Sequence, residues 1–126
     1  MDAFEKKYYA AYDERYKTAH SHGVRWSSNI GTPIVWETIQ KYHIGRNQRL
    51  LEIGCGEGRD AQAVLEHGFQ LKATDISDEA IAYCRQQMPQ YADHFRVLDC
   101  LSSNLDERYD FIFGVAVIHM LVLFLT

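Results

Sequence analysis

Aromatic residues recur at every fourth position in the first part of the chain, at Phe4, Tyr8, Tyr12 and Tyr16. This spacing over residues 2–17 predicts a helix with one aromatic face and a charged face opposite to it. The loop "SHGVRWSSNIGTP" follows, and Pro33 suits the first turn of a second helix, "PIVWETIQKYHI", which ends near Gly45. The N-terminal third of the chain is therefore predicted to be helical.

Beyond residue 48 the pattern changes to short apolar runs that alternate with amphipathic segments. The runs "RLLEIG", "FQLKATD", "FRVLD" and "YDFIFGV" are bounded by turn residues and predict four buried strands. Between the first three runs, "RDAQAVLEHG" predicts a helix closed by Gly68, and "SDEAIAYCRQQMP" predicts one that Ser77 caps and Pro89 stops. The second of these helices has an apolar stripe at Ile81, Cys84 and Met88.

This alternation predicts the fold class: an α/β, mainly parallel and doubly wound sheet with helices on both faces and a helical N-terminal extension. The connection between the third and fourth strands is the weak point of the prediction. The segment "CLSSNLDER" is shorter than the dozen or so residues that a parallel crossover usually takes. A single helical turn or shifted strand boundaries would reconcile the two.

Three glycines lie within five residues at the turn after the first predicted strand, at Gly54, Gly56 and Gly58. Three glycines in a single turn indicate that a ligand approaches the main chain closely. The spacing G-x-G-x-G differs from the dinucleotide fingerprint G-x-G-x-x-G, because Arg59 stands where the third glycine would fall. The Gly-Lys-Ser/Thr ending of a phosphate-binding P-loop is also absent from this turn.

Acidic residues end the second and third predicted strands, at Asp75 and Asp99. The carboxyl ends of parallel strands meet at one edge of the sheet, so both acids are expected beside the glycine turn. An acid in the position of Asp75 accepts hydrogen bonds from ribose hydroxyls, although Asp75 is also placed to cap the following helix. Aspartate commonly ends strands, which is the alternative for Asp99. Glu52 lies in an apolar strand, where an unpaired carboxylate is costly and needs a partner.

Composition narrows the class of protein. The chain has 126 residues, a net charge of −4, and scattered Lys and Arg residues, which argue against a nucleic-acid partner. The N-terminus has no apolar segment of a secretory signal, and the apolar residues 111–125 are fewer than the roughly 20 that span a membrane. Three cysteines without metal-ligand spacing indicate reduced thiols, a cytoplasmic protein and no metal site.

The stretches "LLEIGCGEG", "LKATDIS", "FRVLDC" and "YDFIFGVAVIHML" together resemble, in this order, the class I S-adenosylmethionine-dependent methyltransferases. The resemblance covers roughly residues 49–121 and implies S-adenosylmethionine as cofactor and S-adenosylhomocysteine as product. It implies one methyltransferase domain over residues 1–126, with a helical cap at 1–45 and a cofactor-binding half at 49–126. The family's sheet normally has seven strands, so we expect a chain truncated after the fourth strand. Its apolar C-terminal segment would then promote self-association.

The resemblance also implies roles for residues around the first strand. Glu52 would orient the methionine amino group, directly or through water. Backbone of the glycine turn would pack against the methionine and ribose parts of the cofactor, at Gly54, Cys55, Gly56 and Gly58. Cys55 itself is expected to be a small packed residue, because no basic partner is placed to activate it.

Further roles follow for the ends of the other strands. Asp75 would hold the ribose hydroxyls, and Ile76 would lie against the adenine face. Asp99 would take the adenine amino group, and Cys100 would offer its backbone. The fourth strand would border the methyl-transfer side of the site at Gly114 and Val115.

A small molecule is the expected methyl acceptor, by analogy alone. The sequence "GVAV" stands where enzymes that methylate exocyclic amino groups carry an Asn/Asp-Pro-Pro-aromatic signature, which argues against DNA. Trp26 and His119 are candidate substrate contacts, and no catalytic residue is assigned. Two other functions stay open: a nicotinamide or flavin oxidoreductase, disfavoured by Arg59, and a non-catalytic cofactor-binding or interaction module.

Overall fold

The computed structural model describes residues 13–14, 16–18, 20–21, 32–100 and 107–115. The first seven of these are helical and belong to the N-terminal segment. The remainder forms one α/β unit in which helices connect parallel strands.

The sheet has four strands in the order β3-β2-β1-β4, and every neighbouring pair is parallel. Their bounds are β1 Arg49–Ile53, β2 Gln70–Asp75, β3 Phe95–Val97 and β4 Phe111–Phe113. The chain steps from β1 to β2 to β3 in one direction and then returns to the other side of β1. This reversal places a topological switch point between β1 and β4, where open α/β sheets bind their ligands.

Three α-helices and one 3-10 helix accompany the sheet in the described part of the chain: α1 Pro33–Lys41, α2 Arg59–Glu66, α3 Asp78–Gln87 and the 3-10 helix Pro89–His94. Pro33 opens α1 as predicted, but α1 ends earlier than the expected boundary near Gly45. His43 adopts φ 50°, and the Ile44 N–H then bonds back to the Ile39 carbonyl at 3.0 Å. This turn closes the helix at its C-terminus.

Local signals for the other two α-helices are confirmed. Ser77 is the N-cap of α3, and its hydroxyl accepts a hydrogen bond from the Ala80 N–H at 3.1 Å. Gly68 follows α2 with φ 85°, the left-handed conformation that favours glycine after a helix. The predicted stripe of α3 is buried at Ile81, Cys84 and Met88.

The connection between β3 and β4 is longer than predicted, because both strands are shorter than predicted. The third strand ends at Val97 and the fourth begins at Phe111, which leaves residues 98–110 for the connection. This length meets the need of a parallel crossover. The prediction of a mainly parallel, Rossmann-like α/β fold is thereby confirmed.

The hydrophobic core lies where α2 and α3 meet the two central strands. Leu50 on β1 and Ala73 on β2 are almost fully buried, and Val64 and Ile81 pack against the same cluster from the helices. Side chains at both surfaces of the central strands are buried. Open α/β sheets of this kind bind ligands at the carboxyl ends of their strands. The candidate site is built at this edge.

Candidate functional site

The glycine turn connects β1 to α2 at the carboxyl edge of the sheet. Glu52 pairs with Ala73 on one side and with Phe113 on the other, so the ends of β1, β2 and β4 lie level. The Cys55 N–H donates to the Thr74 carbonyl at 2.8 Å, which extends the pairing one residue into the turn. Residues that follow these three strands therefore face one region.

All three glycines of the turn have positive φ, at 73° for Gly54, 57° for Gly56 and 81° for Gly58. A residue with a side chain is strained in this conformation, so the turn geometry itself requires glycine. Gly58 has a second reason. A Cβ atom there would lie 2.9 Å from the Met88 side chain and 3.0 Å from the Cys84 sulfur. Its packing against α3 therefore explains Gly58 without any ligand.

Asp75 stabilises the turn from the end of β2. Its Oδ2 accepts a hydrogen bond from the Gly56 N–H and its Oδ1 accepts one from the Ser77 N–H, each at 2.9 Å. The second bond is the helix-capping role that the sequence left open for this residue. Burial raises the pKa of Asp75, against which these backbone bonds act. Backbone of Ile76 makes a third hydrogen bond to this carboxylate. A carboxylate offers about four lone-pair positions, so about one acceptor position is left for a ribose hydroxyl.

Glu52 is a buried acid at the end of β1, with 2% of its surface exposed. Its Oε1 atom has no hydrogen-bond partner. Burial, with Asp60 and Asp75 nearby, raises the pKa of Glu52 to about 8, and Arg59 opposes this shift. An unsatisfied buried carboxyl oxygen costs roughly 1–3 kcal/mol, so the site is suited to a ligand that donates a hydrogen bond here.

Asp99 and Cys100 follow β3 at the same edge. The Leu98 N–H donates to the Asp75 carbonyl at 2.9 Å, which brings the chain after β3 alongside the end of β2. Asp99, Cys100 and Ile76 are all partly exposed there. The structure thus brings these three residues to the edge where the glycine turn and Asp75 lie.

Gly114 and Val115 belong to a different feature. They line an apolar groove of about 190 Å³ between α1 and β4, together with residues such as Ile34, Thr38 and Phe113. Neither Glu52 nor the glycine turn contributes to this groove. It therefore extends away from the turn along β4 and does not coincide with the cluster around Glu52 and Asp75.

Sequence reasoning did not single out several residues that build the site. Glu57, inside the turn, has a fully buried side chain, and His20 contacts it at 2.8 Å. Asp60 at the start of α2 accepts a hydrogen bond from the Thr32 hydroxyl at 2.9 Å, which joins α1 to α2. The sequence did contain a signal for Glu57 and Asp60, because both are charged residues within or next to the glycine turn.

The N-terminal helical segment lies against this region. Tyr16, one of the four aromatic residues of the predicted stripe, is buried, and its hydroxyl would lie 2.9 Å from a Cβ atom on Gly56. Asp13 accepts hydrogen bonds from the Ser77 hydroxyl at 2.6 Å and the Glu79 N–H at 3.1 Å. The predicted aromatic face thus meets the glycine turn at Tyr16, and Asp13 meets the start of α3.

Two predicted substrate contacts, Trp26 and His119, lie outside the described residues, as do Phe4, Tyr8 and Tyr12. Within the described ranges, no group of three or more His, Cys, Asp or Glu side chains is arranged to hold a metal ion. No helix in that part of the structure is long and apolar enough to cross a membrane.

Comparison with known proteins identifies the family. The profile described as "Methyltransferase domain" matches residues 51–124, which is more than half of the chain. A curated relative, Hemagglutinin 1 of Eikenella corrodens, is 35% identical over 74 residues, covering 55% of this chain. The matched region is 24% of that relative's length.

Solved structures share the fold. A structure determined for the conversion of a disulfide bond into a thioacetal group during echinomycin biosynthesis has a TM-score of 0.69 and 23% identity, covering 89% of this chain and 48% of its own. The glycopeptide N-methyltransferase MtfA complexed with sinefungin has a TM-score of 0.58 and 20% identity, covering 70% and 37%. This chain therefore spans about half the length of the protein from echinomycin biosynthesis and a smaller part of MtfA. The chain belongs to the methyltransferase domain family, and it has the Rossmann-like fold of these solved structures.

Proposed function

We propose that this domain binds S-adenosylmethionine at the glycine turn and transfers its methyl group to a small-molecule acceptor. One observation carries the proposal. The Glu52 Oε1 atom is buried without a partner beside a turn of three positive-φ glycines. A cationic amino group that donates a hydrogen bond to this oxygen would satisfy it, and its charge would offset the cost of ionising Glu52.

The charges around the turn favour a cationic ligand. Glu52, Asp60 and Asp75 are all buried, and the last two raise the pKa of Glu52. S-adenosylmethionine carries positive charge on its amino group and its sulfonium. Such a ligand would relieve the repulsion among the three carboxyl groups, whereas the pyrophosphate of a dinucleotide would add to it.

Each end of the cofactor has residues of suitable chemistry. We assign Glu52 to the methionine amino group, Asp75 to the ribose hydroxyls and Asp99 to the adenine amino group. The backbone of residues 54–58 and the side chain of Ile76 would cover the remaining apolar parts. The bound cofactor supplies a methyl group already activated by the sulfonium, so the protein's task is to orient two reactants and exclude water.

The acceptor is proposed to be a small molecule, because the net charge of −4 and the scattered Lys and Arg residues of the sequence do not suit a nucleic-acid partner. Gly114 and Val115 would border it, and the adjoining apolar groove offers room for an apolar group. We also propose the division into a helical cap at 1–45 and a cofactor-binding half at 49–126. The three unpaired cysteines fit the reducing environment of the cytoplasm. Self-association through residues 111–125 stays a prediction, since residues 116–126 lie outside the described part.

The test is a calorimetric titration of the folded chain with S-adenosylhomocysteine, with NAD as the control titrant. We expect saturable binding of one S-adenosylhomocysteine and none of NAD. Glu52→Gln should weaken binding roughly 10- to 100-fold, the cost of a hydrogen bond to a charged group. Glu37→Gln makes the same chemical change on the exposed face of α1 and should leave the affinity unaltered.

Proton exchange sharpens the result. Glu52 with a pKa of about 8 is mostly protonated at pH 7 and would ionise when a cationic amino group binds. Titrations in buffers of different ionisation enthalpy should therefore show release of up to about one proton in the wild type and none in Glu52→Gln. Binding of NAD, or no binding of S-adenosylhomocysteine by the folded chain, would overturn the proposal.

A further inference from the structure

His20 of the N-terminal segment bridges two carboxylates that belong to different elements. Its Nε2 lies 2.8 Å from Oε2 of Glu57 in the glycine turn, and its Nδ1 lies 2.8 Å from Oε1 of Glu79 in α3. The imidazole ring stacks on Tyr83 with 4.1 Å between ring centroids. Only 10% of the His20 side chain is exposed, and none of the Glu57 side chain is.

The two contacts need two hydrogens, and a neutral histidine supplies only one. Each N···O contact needs one hydrogen between its two atoms, and a neutral imidazole carries a single N–H. Both contacts are therefore hydrogen bonds only when the group of His20, Glu57 and Glu79 holds one further proton. In the imidazolium form, both ring nitrogens donate to carboxylates, which makes both bonds charge-assisted.

The same helical face places Tyr16 between Asp13 and His20. Asp13 lies one helical turn before Tyr16 and accepts from Ser77 and Glu79, while His20 lies one turn after it. Tyr16 is thereby held against Gly56. The segment touches the glycine turn and the N-terminus of α3, which are the two elements that Asp75 also joins.

We propose that His20 is a positioning residue for the cofactor site, acting as a protonated clasp that holds the N-terminal segment, and Tyr16 with it, over the glycine turn. The inference rests on the proposed function for its effect on the cofactor, but not for the clasp itself. Closure by the clasp slows the escape of a bound cofactor. Loss of the extra proton opens it.

Titratable groups from three elements surround the bridge that His20 forms. The glycine turn presents Glu57, and α3 presents Glu79 and Tyr83. The described residues of the segment add Asp13, Glu14, Tyr16 and Lys17. Burial raises the pKa of Tyr16, and the contact with Asp13 raises the pKa of Lys17. Both side chains therefore keep their protons between pH 6 and pH 9.

The first arm of the test needs no cofactor. Hydrogen exchange of peptides containing residues 13–21, normalised to an unstructured peptide of the same sequence, is measured between pH 6 and pH 9 in the full chain. We expect protection in the wild type to fall about tenfold or more across this range, and protection in His20→Gln to be low and independent of pH. His67→Gln is the matched control, because His67 is exposed and its ring bonds the Ala63 carbonyl of its own helix and packs against Trp36 of α1.

The second arm is the affinity for S-adenosylhomocysteine at pH 6.5 and pH 9. At pH 6.5, His20→Gln should bind about tenfold more weakly than the wild type, and at pH 9 the two should converge. The response of Glu52 is common to both proteins and cancels in the comparison. If His20→Gln showed the same protection and the same affinity as the wild type at every pH, the clasp would be overturned. A wild type that binds no S-adenosylhomocysteine, but whose protection depends on His20, would uphold the clasp and refute the proposed function.

Discussion

Asp75 accepts a hydrogen bond from the backbone N–H of Gly56, with 2.9 Å between Oδ2 and the nitrogen. Gly56 follows β1 and Asp75 is the last residue of the neighbouring strand β2, so the bond fixes the conformation of the glycine turn relative to the end of β2. The carboxylate that the family would use for the cofactor is therefore also part of the scaffold. Substitution of Asp75 affects stability and binding together, and an informative experiment has to separate the two.

Asp75→Ala should destabilise the protein by about 2–4 kcal/mol, because it leaves the N–H groups of Gly56 and Ser77 without their acceptor. Asp75→Asn keeps one carboxyl-like oxygen and should cost about half as much. Both variants should lose affinity for S-adenosylhomocysteine. Urea unfolding gives the free energies, with Asp78→Asn on the exposed first turn of α3 as control. An Asp75→Ala protein as stable as the wild type would show that these bonds are absent in solution.

Glu52 should make the stability of the ligand-free protein fall as the pH rises. Its pKa is raised from 4.5 to about 8 by burial, so between these values the folded state keeps a proton that the unfolded state has lost. The free energy of unfolding should decrease by up to roughly 1.4 kcal/mol per pH unit across this window and level off above it. Glu52→Gln lacks the ionisation, so its advantage over the wild type should grow between pH 5 and pH 9.

The measurement is urea unfolding at pH 5, 7 and 9 without ligand. Glu37→Gln removes an exposed carboxylate from α1 and should run parallel to the wild type. If the curves of Glu52→Gln and the wild type were parallel, the buried carboxyl would not be titrating as described.

Gly58→Ala should be more damaging than Gly68→Ala, although both glycines have similar positive φ values of 81° and 85°. At Gly68 the added methyl group would meet only the Arg46 side chain, at 3.4 Å, so the cost is the backbone strain of about 1 kcal/mol. At Gly58 it would also collide with Met88 and Cys84, which adds about 1–3 kcal/mol. Thermal or urea unfolding of the two variants isolates the packing contribution. Equal losses would contradict the close packing of α3 on the turn.

The three cysteines should differ in reactivity. Cys55 and Cys84 are buried, and the contact with Cys84 together with burial raises the pKa of the Cys55 thiol. Cys100 is partly exposed, although burial and Asp99 raise its pKa as well. Alkylation with iodoacetamide at pH 8, followed by peptide mass spectrometry, should label Cys100 first and the other two only in denaturant. Rapid labelling of Cys55 in the folded protein would contradict its burial.

The sequence predicted the elements whose signals are local. The N-cap at Ser77, the glycine at Gly68 and the opening proline at Pro33 each act within a few residues of the helix end that they determine. Helix ends and short apolar strands could therefore be predicted without any knowledge of the remote chain. The helix α1 ends at Lys41 and not near Gly45 as predicted, because the chain turns at His43, which takes a left-handed conformation.

The alternation of strands and helices was also sufficient to predict the parallel sheet, and the four motif-bearing stretches in order were sufficient to predict the family, whose site lies at the strand ends. They could not show what each group does there. Gly58 is needed for packing, and Asp75 binds backbone, because α3 and the turn come into contact only in the folded chain. The orphaned oxygen of Glu52 likewise depends on the burial that β2 and β4 provide on either side of β1.

By itself, the sequence determined the glycine turn, the alternation of strands and helices and the acids at the strand ends, since these follow from propensities and periodicities along the chain. Only the tertiary structure decided the partners of His20, which are 37 and 59 positions away at Glu57 and Glu79. Contacts of this kind depend on distances and burial that arise when separate elements pack. Hydrogen bonding and charge at the site are therefore properties of the fold, and no local pattern encodes them.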